Sequence, residues 1–345
     1  MRRHNFMVRH KNSSQNKSVT IEDVARLSGV SVTTVSRVIN KFPTVKEKHR
    51  IKVINTIKEL KFQPSIFAQR LATGKSNVVA LIIPRYEGIF YSFYALELIR
   101  GIGTLCGSMK LDFLLHLTDS RTPLNLKSVG GIIFADIIAN RPQLEDALAA
   151  EIPSIVINHY VEDLPVSCIA IDNVGGAESA VDYLVGLGHR KIAHIAGDLV
   201  TQAAAQRLEG YRRSLKKNNI AINEGYIFKT DYSRGQARMA AEKLLNTQDP
   251  ATSVFVASDS MALEVMAVAK ELGKNIPGDL SIVGFDDNPS GLYGPVALTT
   301  VRQPLIKMAE ESVKELVALI SDKKGKRKKI ILPTELVIRE SCRPL

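Results

Sequence analysis

The sequence predicts a small all-α head followed by a much larger α/β body, and three observations carry that expectation. Positive charge is concentrated at the start: residues 1–75 hold 16 Lys and Arg against 4 Asp and Glu, while the remaining residues hold 30 against 31. Residues 20–60 carry only helical periodicity. From residue 77 onward short apolar runs alternate with amphipathic stretches, the pattern of parallel strands connected by helices.

Composition bounds the rest. Apolar residues make up 45% and charged residues 23% of 345 residues, ample for a buried core. A basic head joined to a neutral body implies a polyanionic partner for the first and something else for the second, the bland alternative being a basic disordered tail. Cys106, Cys168 and Cys342 are far apart and fit neither zinc-ligand nor disulfide spacing, so a reducing, cytoplasmic setting is expected, with no metal and no cofactor. The opening MRRHNFMVRHKNSSQNK lacks the apolar core of a secretory signal, and no run is long enough for a membrane span. Residues 1–17 read as a disordered basic extension, with Met7 an alternative start.

The head, residues 18–62, reads as follows. Thr20 caps a first helix with Asp23 three residues on, and Ile21, Val24, Ala25 and Leu27 form its apolar face. Gly29 ends that helix and Ser31 caps a second, whose Val35, Val38 and Ile39 turn inward. A third helix over 46–60 is expected to cover both with Ile51, Ile54, Ile57 and Leu60. Two short helices around a glycine turn form a helix-turn-helix, and in that motif the second helix enters the major groove of DNA. Val32, Thr33 and Arg37 are then placed to meet base edges: a thymine methyl for Val32, a hydrogen bond for Thr33, a guanine for Arg37. Thr20, Ser31, Thr34, Ser36 and Asn40 suit phosphate contacts, which position without specifying. The competing reading is a small helical bundle with solvated hydroxyls.

Here the residues resemble a known family. DVARLSGVSVTTVSRVIN matches, over some fifteen positions, the signature of the lactose-repressor (LacI) family of bacterial regulators. Residues 63–76, between Pro64 and Gly74, resemble that family's hinge helix. The resemblance implies that two such helices pair across a dimer axis, with Leu71 as a wedge in the minor groove and Ala68 on the same face. Packing of Leu71 on the body is the plain alternative.

The body, 77–345, carries strands expected at 78–84, 130–136, 153–158, 168–172, 191–197, 253–258 and 280–287, among others, and KIILPTELVI as a further strand. Their carboxyl ends bear Asn158, Asp172–Asn173, Gly197–Asp198, Ser258–Asp259 and Asp286–Asp287, either as ligand contacts or as helix caps. GHRKIAHIAG, RLEGYRRSL, ASDSMALEVMAVAKELG, IPGDLSIVGFDD and LPTELVIRES extend the resemblance, which implies a two-lobed fold like that of periplasmic sugar-binding proteins. Lobe 1 is expected over about 77–172 and 302–322, lobe 2 over about 173–301 and 330–345. The family pattern implies effector contacts from Arg207, Asp286, Ser258, Asn158 and Tyr232, with Phe90 or Tyr91 lining the other side. Ser258 and Asn158 stand where many members have Asn and Asp, which leaves a sugar as the first choice of effector and a nucleobase or other metabolite behind it. Only nine residues, SRTPLNLKS, separate Asp119 from Val129, where the family pattern has a full helix.

KKGKRKK (323–329) reads as a solvated loop before the last strands, with nucleic acid as the rival partner. The chain ends without a leucine-repeat tail, so a homodimer is expected on a palindromic operator. Two other functions compete with this reading. An enzyme is disfavoured, because GIGTLCG (101–107) has the wrong spacing for a dinucleotide loop and the histidines do not cluster, so no catalytic residue is assigned. A transport binding protein does not account for the basic head.

Overall fold

A computed structural model describes residues 19–39, 42–62, 76–85, 89–119, 124–135, 137–322 and 325–345. Asn40, Ala68 and Leu71 lie outside the described residues, as do the N-terminal extension and nearly all of the hinge segment. The described chain divides into two compact units, Met1–Ser76 and Asn77–Leu345.

In the first unit, α1 (Ile21–Ser28), α2 (Val32–Ile39) and α3 (Glu47–Glu59) enclose Val24, Ala25, Val35, Val38 and Val53. Thr20 and Asp23 form a reciprocal capping box, and Gly29 closes α1 with φ 67°, a left-handed conformation suited to glycine. Two packing expectations need correction. Leu27 is 55% exposed, and α3 turns Val53, Ile57 and Leu60 inward while Ile51 is 52% exposed and Ile54 also faces solvent. A strict three-residue repeat drifts around a helix of 3.6 residues per turn, so the buried stripe follows alternating steps of three and four.

The second unit holds two six-stranded sheets. The first comprises β1 (Val78–Pro84), β2 (Asp112–Thr118), β3 (Gly131–Phe134), β4 (Ser154–Ile157), β5 (Ser167–Ile171) and β11 (Lys329–Leu332) in the order β11-β5-β4-β3-β1-β2, every pairing parallel. Helices α4 (Phe93–Ser108), α5 (Arg141–Ala149) and α10 (Leu305–Ser321) flank it. The second comprises β6 (Ile192–Ala196), β7 (Ile227–Lys229), β8 (Ser253–Val256), β9 (Ser281–Asp286), β10 (Thr299–Arg302) and β12 (Glu335–Val337), in the order β12-β10-β9-β8-β6-β7. It is parallel except for β12, which runs against β10. Its helices are α6 (Asn173–Gly186), α7 (Gln202–Lys217), α8 (Arg234–Leu245) and α9 (Asp259–Glu271). β3, β4, β5, β6 and β8 are buried along their whole length, which is why they read as continuous apolar runs rather than alternations.

KIILPTELVI is not one strand. Lys329–Leu332 pairs with β5 in the first lobe, and Glu335–Val337 pairs with β10 in the second. Residues 330–332 therefore belong to lobe 1, contrary to the boundary expected at 330. Pro333 has no N–H to continue a ladder, and the chain crosses between lobes there. The other crossings lie at Asp172–Asn173 and at Gln303–Pro304. All three leave from carboxyl edges of parallel strands or the adjoining end of β12, so the carboxyl edges of both sheets border the cleft. Between β2 and β3 the described residues hold only a 3-10 turn, Leu126–Ser128, in line with the shortened sequence there. GIGTLCG lies inside α4, where Gly101 lets α10 approach: a β-carbon there would stand 2.6 Å from the Ala309 Cβ.

Candidate functional site

On the first unit, Ser31 caps α2. Its hydroxyl accepts the Thr34 N–H at 3.2 Å and lies 2.9 Å from the Thr34 hydroxyl, so these two polar groups are engaged with each other. Thr20 is likewise engaged, its N–H donating to Asp23 Oδ2 at 3.1 Å. Beyond this cap, Val32, Thr33 and Arg37 are exposed and Ser36 is half-buried. Thr33 and Arg37 are four residues apart and share a face, with Val32 beside them, while Val35 and Val38 hold the opposite face in the core. The helix thus presents an apolar contact, a hydroxyl and a guanidinium together.

In the second unit, Arg207 on α7 is the organising group. It is only 4% exposed. Its Nε donates to Asn173 Oδ1 at 2.9 Å, its Nη1 donates to the Ala257 carbonyl at 2.6 Å, and its guanidinium lies 3.7 Å from the centre of the Phe285 ring. Asn173 in turn donates to Gln206 Oε1 at 3.1 Å. A buried cation needs such partners to offset its desolvation.

Asp286 ends β9 with φ 137° and accepts a 2.5 Å hydrogen bond from Gln303 Nε2. Burial pushes its carboxyl up to about 6, partly offset by the charge of Arg207 and the Gln303 bond. Asp286 and Gln303 line a cavity of about 200 Å³ that Phe93 and Glu97 of lobe 1 also border. Behind it lies Asp259, fully buried, with Oδ1 accepting from the Thr300 hydroxyl at 2.6 Å and Oδ2 from the Asn288 N–H at 2.7 Å. Burial, then the neighbouring Asp286 charge, pushes Asp259 up to about 8.

Tyr232, with φ 67°, lays its ring on Gly197, where a β-carbon would stand 2.0 Å from the Tyr232 Cζ. Its hydroxyl is pushed up by burial while the Arg207 charge opposes that shift, which puts the phenol in the same electrostatic neighbourhood as Arg207 and Asp286. From lobe 1, Asn158 follows β4 with φ 60°, and its buried Oδ1 has no hydrogen-bond partner among the described residues. Gln202 of α7 reaches across to Tyr160, accepting its N–H at 2.6 Å and donating to its carbonyl at 3.3 Å.

The remaining expectations are placed differently. Ser258 caps α9, accepting the Met261 N–H at 3.4 Å. At the strand ends 172–173 and 258–259, where capping by Asn173 and Asp259 was at least as strong an expectation as ligand contact, the caps are instead Asp172 and Ser258, and Asn173 and Asp259 point into polar networks. Phe90 and Tyr91 sit on a 3-10 turn and are 54% and 90% exposed; among the described residues no ring contact joins them to Arg207 or Tyr232. Gln303 and Gln202 were missed, because a glutamine beside a helix start carries no spacing signal. Among the described residues no group of His, Cys, Asp or Glu is arranged to hold a metal ion, and no helix is long and apolar enough to cross a membrane.

Comparison with known proteins sets this arrangement beside regulators of transcription. Residues 20–65 match the profile of bacterial regulatory proteins of the lacI family, and residues 181–342 match that of periplasmic binding protein-like domains. The chain is 34% identical to the HTH-type transcriptional regulator DegA of Bacillus subtilis, over 94% of this chain and 98% of that one. It is 32% identical to the catabolite control protein A of Priestia megaterium, over 94% and 100%. Among solved structures, the Lac repressor dimer bound to operator and the anti-inducer ONPF aligns over 95% of this chain and 100% of that one, with TM-score 0.81 and 26% identity. The regulator CelR in complex with cellobiose aligns over 94% and 99%, with TM-score 0.71 and 28% identity. The chain therefore belongs to the lacI family of bacterial regulatory proteins: it is a DNA-binding transcriptional regulator with a periplasmic-binding-protein-like effector domain.

Proposed function

We propose that this regulator is a cytoplasmic repressor that binds a two-fold symmetric operator as a homodimer and whose grip on DNA is set by a sugar. The carrying observation is the buried Arg207 set beside Asp286 and the Tyr232 ring. A rigid guanidinium and a carboxylate offer donors and acceptors to vicinal hydroxyls, and an aromatic face suits the C–H surface of a pyranose. Asn158 and Ser258 add neutral polar groups, and Phe90 or Tyr91 is available to close over the ligand from lobe 1. The likeness to a cellobiose-bound regulator supports the sugar class, and relatives named as repressors, such as PurR of Vibrio vulnificus, support the sign of regulation.

On the DNA side, Val32, Thr33 and Arg37 read bases. Thr20, Ser31, Thr34, Ser36 and Asn40 contact phosphates. Leu71, with Ala68 beside it, wedges into the minor groove. Effector binding that alters the lobe angle biases the paired hinges and hence the operator complex.

The test is calorimetric titration of the full chain with a panel of mono- and disaccharides, sugar phosphates and nucleobases, repeated with Arg207→Met. Saturable heat from a sugar, lost in the variant and accompanied by a change in operator affinity, is the expected result. Heat from a nucleobase and none from any sugar overturns the sugar reading. Unchanged operator affinity in Leu71→Ala removes the wedge.

A further inference from the structure

The basic run 326–329 is built into lobe 1 rather than left as a slack loop. The Lys328 carbonyl accepts from the Cys168 N–H at 2.8 Å, and the Lys328 N–H donates to the Ser167 hydroxyl at 3.0 Å. Arg327 Nε donates to the Pro165 carbonyl at 3.1 Å. The Lys328 ammonium donates at 2.6 Å to Glu315, a buried carboxylate that also receives the Ser167 hydroxyl. These bonds fix the backbone, while Lys326 and Lys329 remain exposed.

The topology says which edge they occupy. β11 begins at Lys329 and runs parallel to β5, so Lys326 and Lys329 lie at the amino edge of the lobe 1 sheet, opposite the cleft. Lys127, also exposed, sits on the 3-10 turn that leads into β3 at the same edge. Three strand spacings separate β11 from β3 in the sheet order, or about 14 Å, comparable to the ~12 Å width of a DNA major groove. Among the described residues, exposed acids near this edge include Asp112, Glu151 and Asp322, of which Asp322 adjoins the run, and Glu162 and Asp163 shortly before Pro165, of which Asp163 is paired with Arg141. The chain arrives from the DNA-binding unit at this edge, since β1 starts at Val78 and pairs there with Asp112. Chain connectivity alone limits the separation of this edge from the head to at most ~50 Å across residues 63–76.

We propose that the amino edge of lobe 1 is a second DNA-contacting surface, in which Lys326, Lys329 and Lys127 meet phosphates of the duplex flanking the operator. Lys328 is the structural member of the run. Its pairing with Glu315 presents its two neighbours, and no base sequence is read. The inference rests on DNA binding by the family and not on the effector class.

The test compares wild type with Lys326→Gln/Lys329→Gln on two duplexes. One carries an operator obtained by in vitro selection with two helical turns of flank on each side, and the other is trimmed to the selected core. Each neutralised phosphate contact contributes about 0.9 to the log–log salt slope, so losing four contacts from a dimer lowers it by about 3.6. Wild type then loses about 10²-fold more affinity than the variant between 50 and 200 mM salt on the long duplex. On the trimmed duplex the two proteins behave alike. A control, Lys243→Gln/Lys270→Gln, removes the same charge from exposed positions of lobe 2 and leaves the slope unchanged. Equal slopes for wild type and the first variant on the long duplex overturn the proposal. So does an equal fall on the trimmed duplex or in the control. An acidic protein as the true occupant gives the first of these results.

Discussion

Replacing Asp259 by Asn tests whether the carboxylate pair behind the cleft is held as the structure describes. Asp259 is buried, close to Asp286, and has its carboxyl pushed up to about 8. A raised acid is bound to its proton more tightly when folded, so its contribution to stability is full at low pH and is lost as pH rises through the folded value. In the unfolded chain the group is already ionised above pH 5. Between pH 7 and pH 9 a folded value of 8 removes about 1.4 kcal/mol of stability. The window lies above most of the pH-dependence of His194, whose ring is lowered to about 4 by burial and whose unfolded form titrates near its ordinary value. Asn keeps one acceptor for either the Thr300 hydroxyl or the Asn288 N–H, so the variant is less stable at pH 7 by about 1–2 kcal/mol. Its pH slope is shallower, and the two proteins converge toward pH 9. The assay is urea denaturation at both pH values, with the difference between proteins as the quantity read, which cancels every titrating group the two share. Parallel slopes for wild type and Asp259→Asn would mean that Asp259 is ionised at neutral pH and that the electrostatic account of the site is wrong.

Three further outcomes are expected. Arg37→Ala weakens the selected operator and relaxes preference at one base position by about 1–3 kcal/mol, read by competition among single-base variants; uniform weakening across all of them would make Arg37 a phosphate contact instead. Gly197→Ala drives a methyl into the Tyr232 ring, displacing the ring and costing about 1–3 kcal/mol of stability, with a matching loss of effector affinity; an unchanged melting temperature contradicts the packing described. Thr20→Ala removes the acceptor of the α1 capping box and costs about 1 kcal/mol in the unfolding of the first unit, followed by amide exchange in α1.

Much of this protein was legible in the sequence because the signals were local. Caps such as Thr20 and Ser31, the left-handed Gly29 and the apolar runs of β1, β3, β4 and β6 depend on neighbours a few residues away, so pattern and propensity suffice for them. The basic head likewise follows from composition. The short strands β7 and β12 and the split of KIILPTELVI carried no such signal, because a three-residue strand has no periodicity and a lobe crossing is defined only by which partner each half finds.

The site divides in the same way. Arg207 and Asp286 stood out through family motifs, but their chemistry came from partners distant in sequence. Asn173 and the Ala257 carbonyl fix the guanidinium, and Gln303 holds the carboxylate across a lobe crossing. The sequence could not say that Asp172 and Ser258 spend their oxygens on helix caps while Asn173 and Asp259 enter the interior. Adjacent polar residues at a strand end are equivalent in pattern, and only the direction in which the next helix departs decides which one turns inward. What the sequence determined by itself was the order of elements, the charged head and the kind of partner it takes. Which side chains share a cleft, and which carboxyl groups burial pushes above their ordinary range, was decided only when the two sheets came together, because burial and long-range pairing are properties of the packed chain.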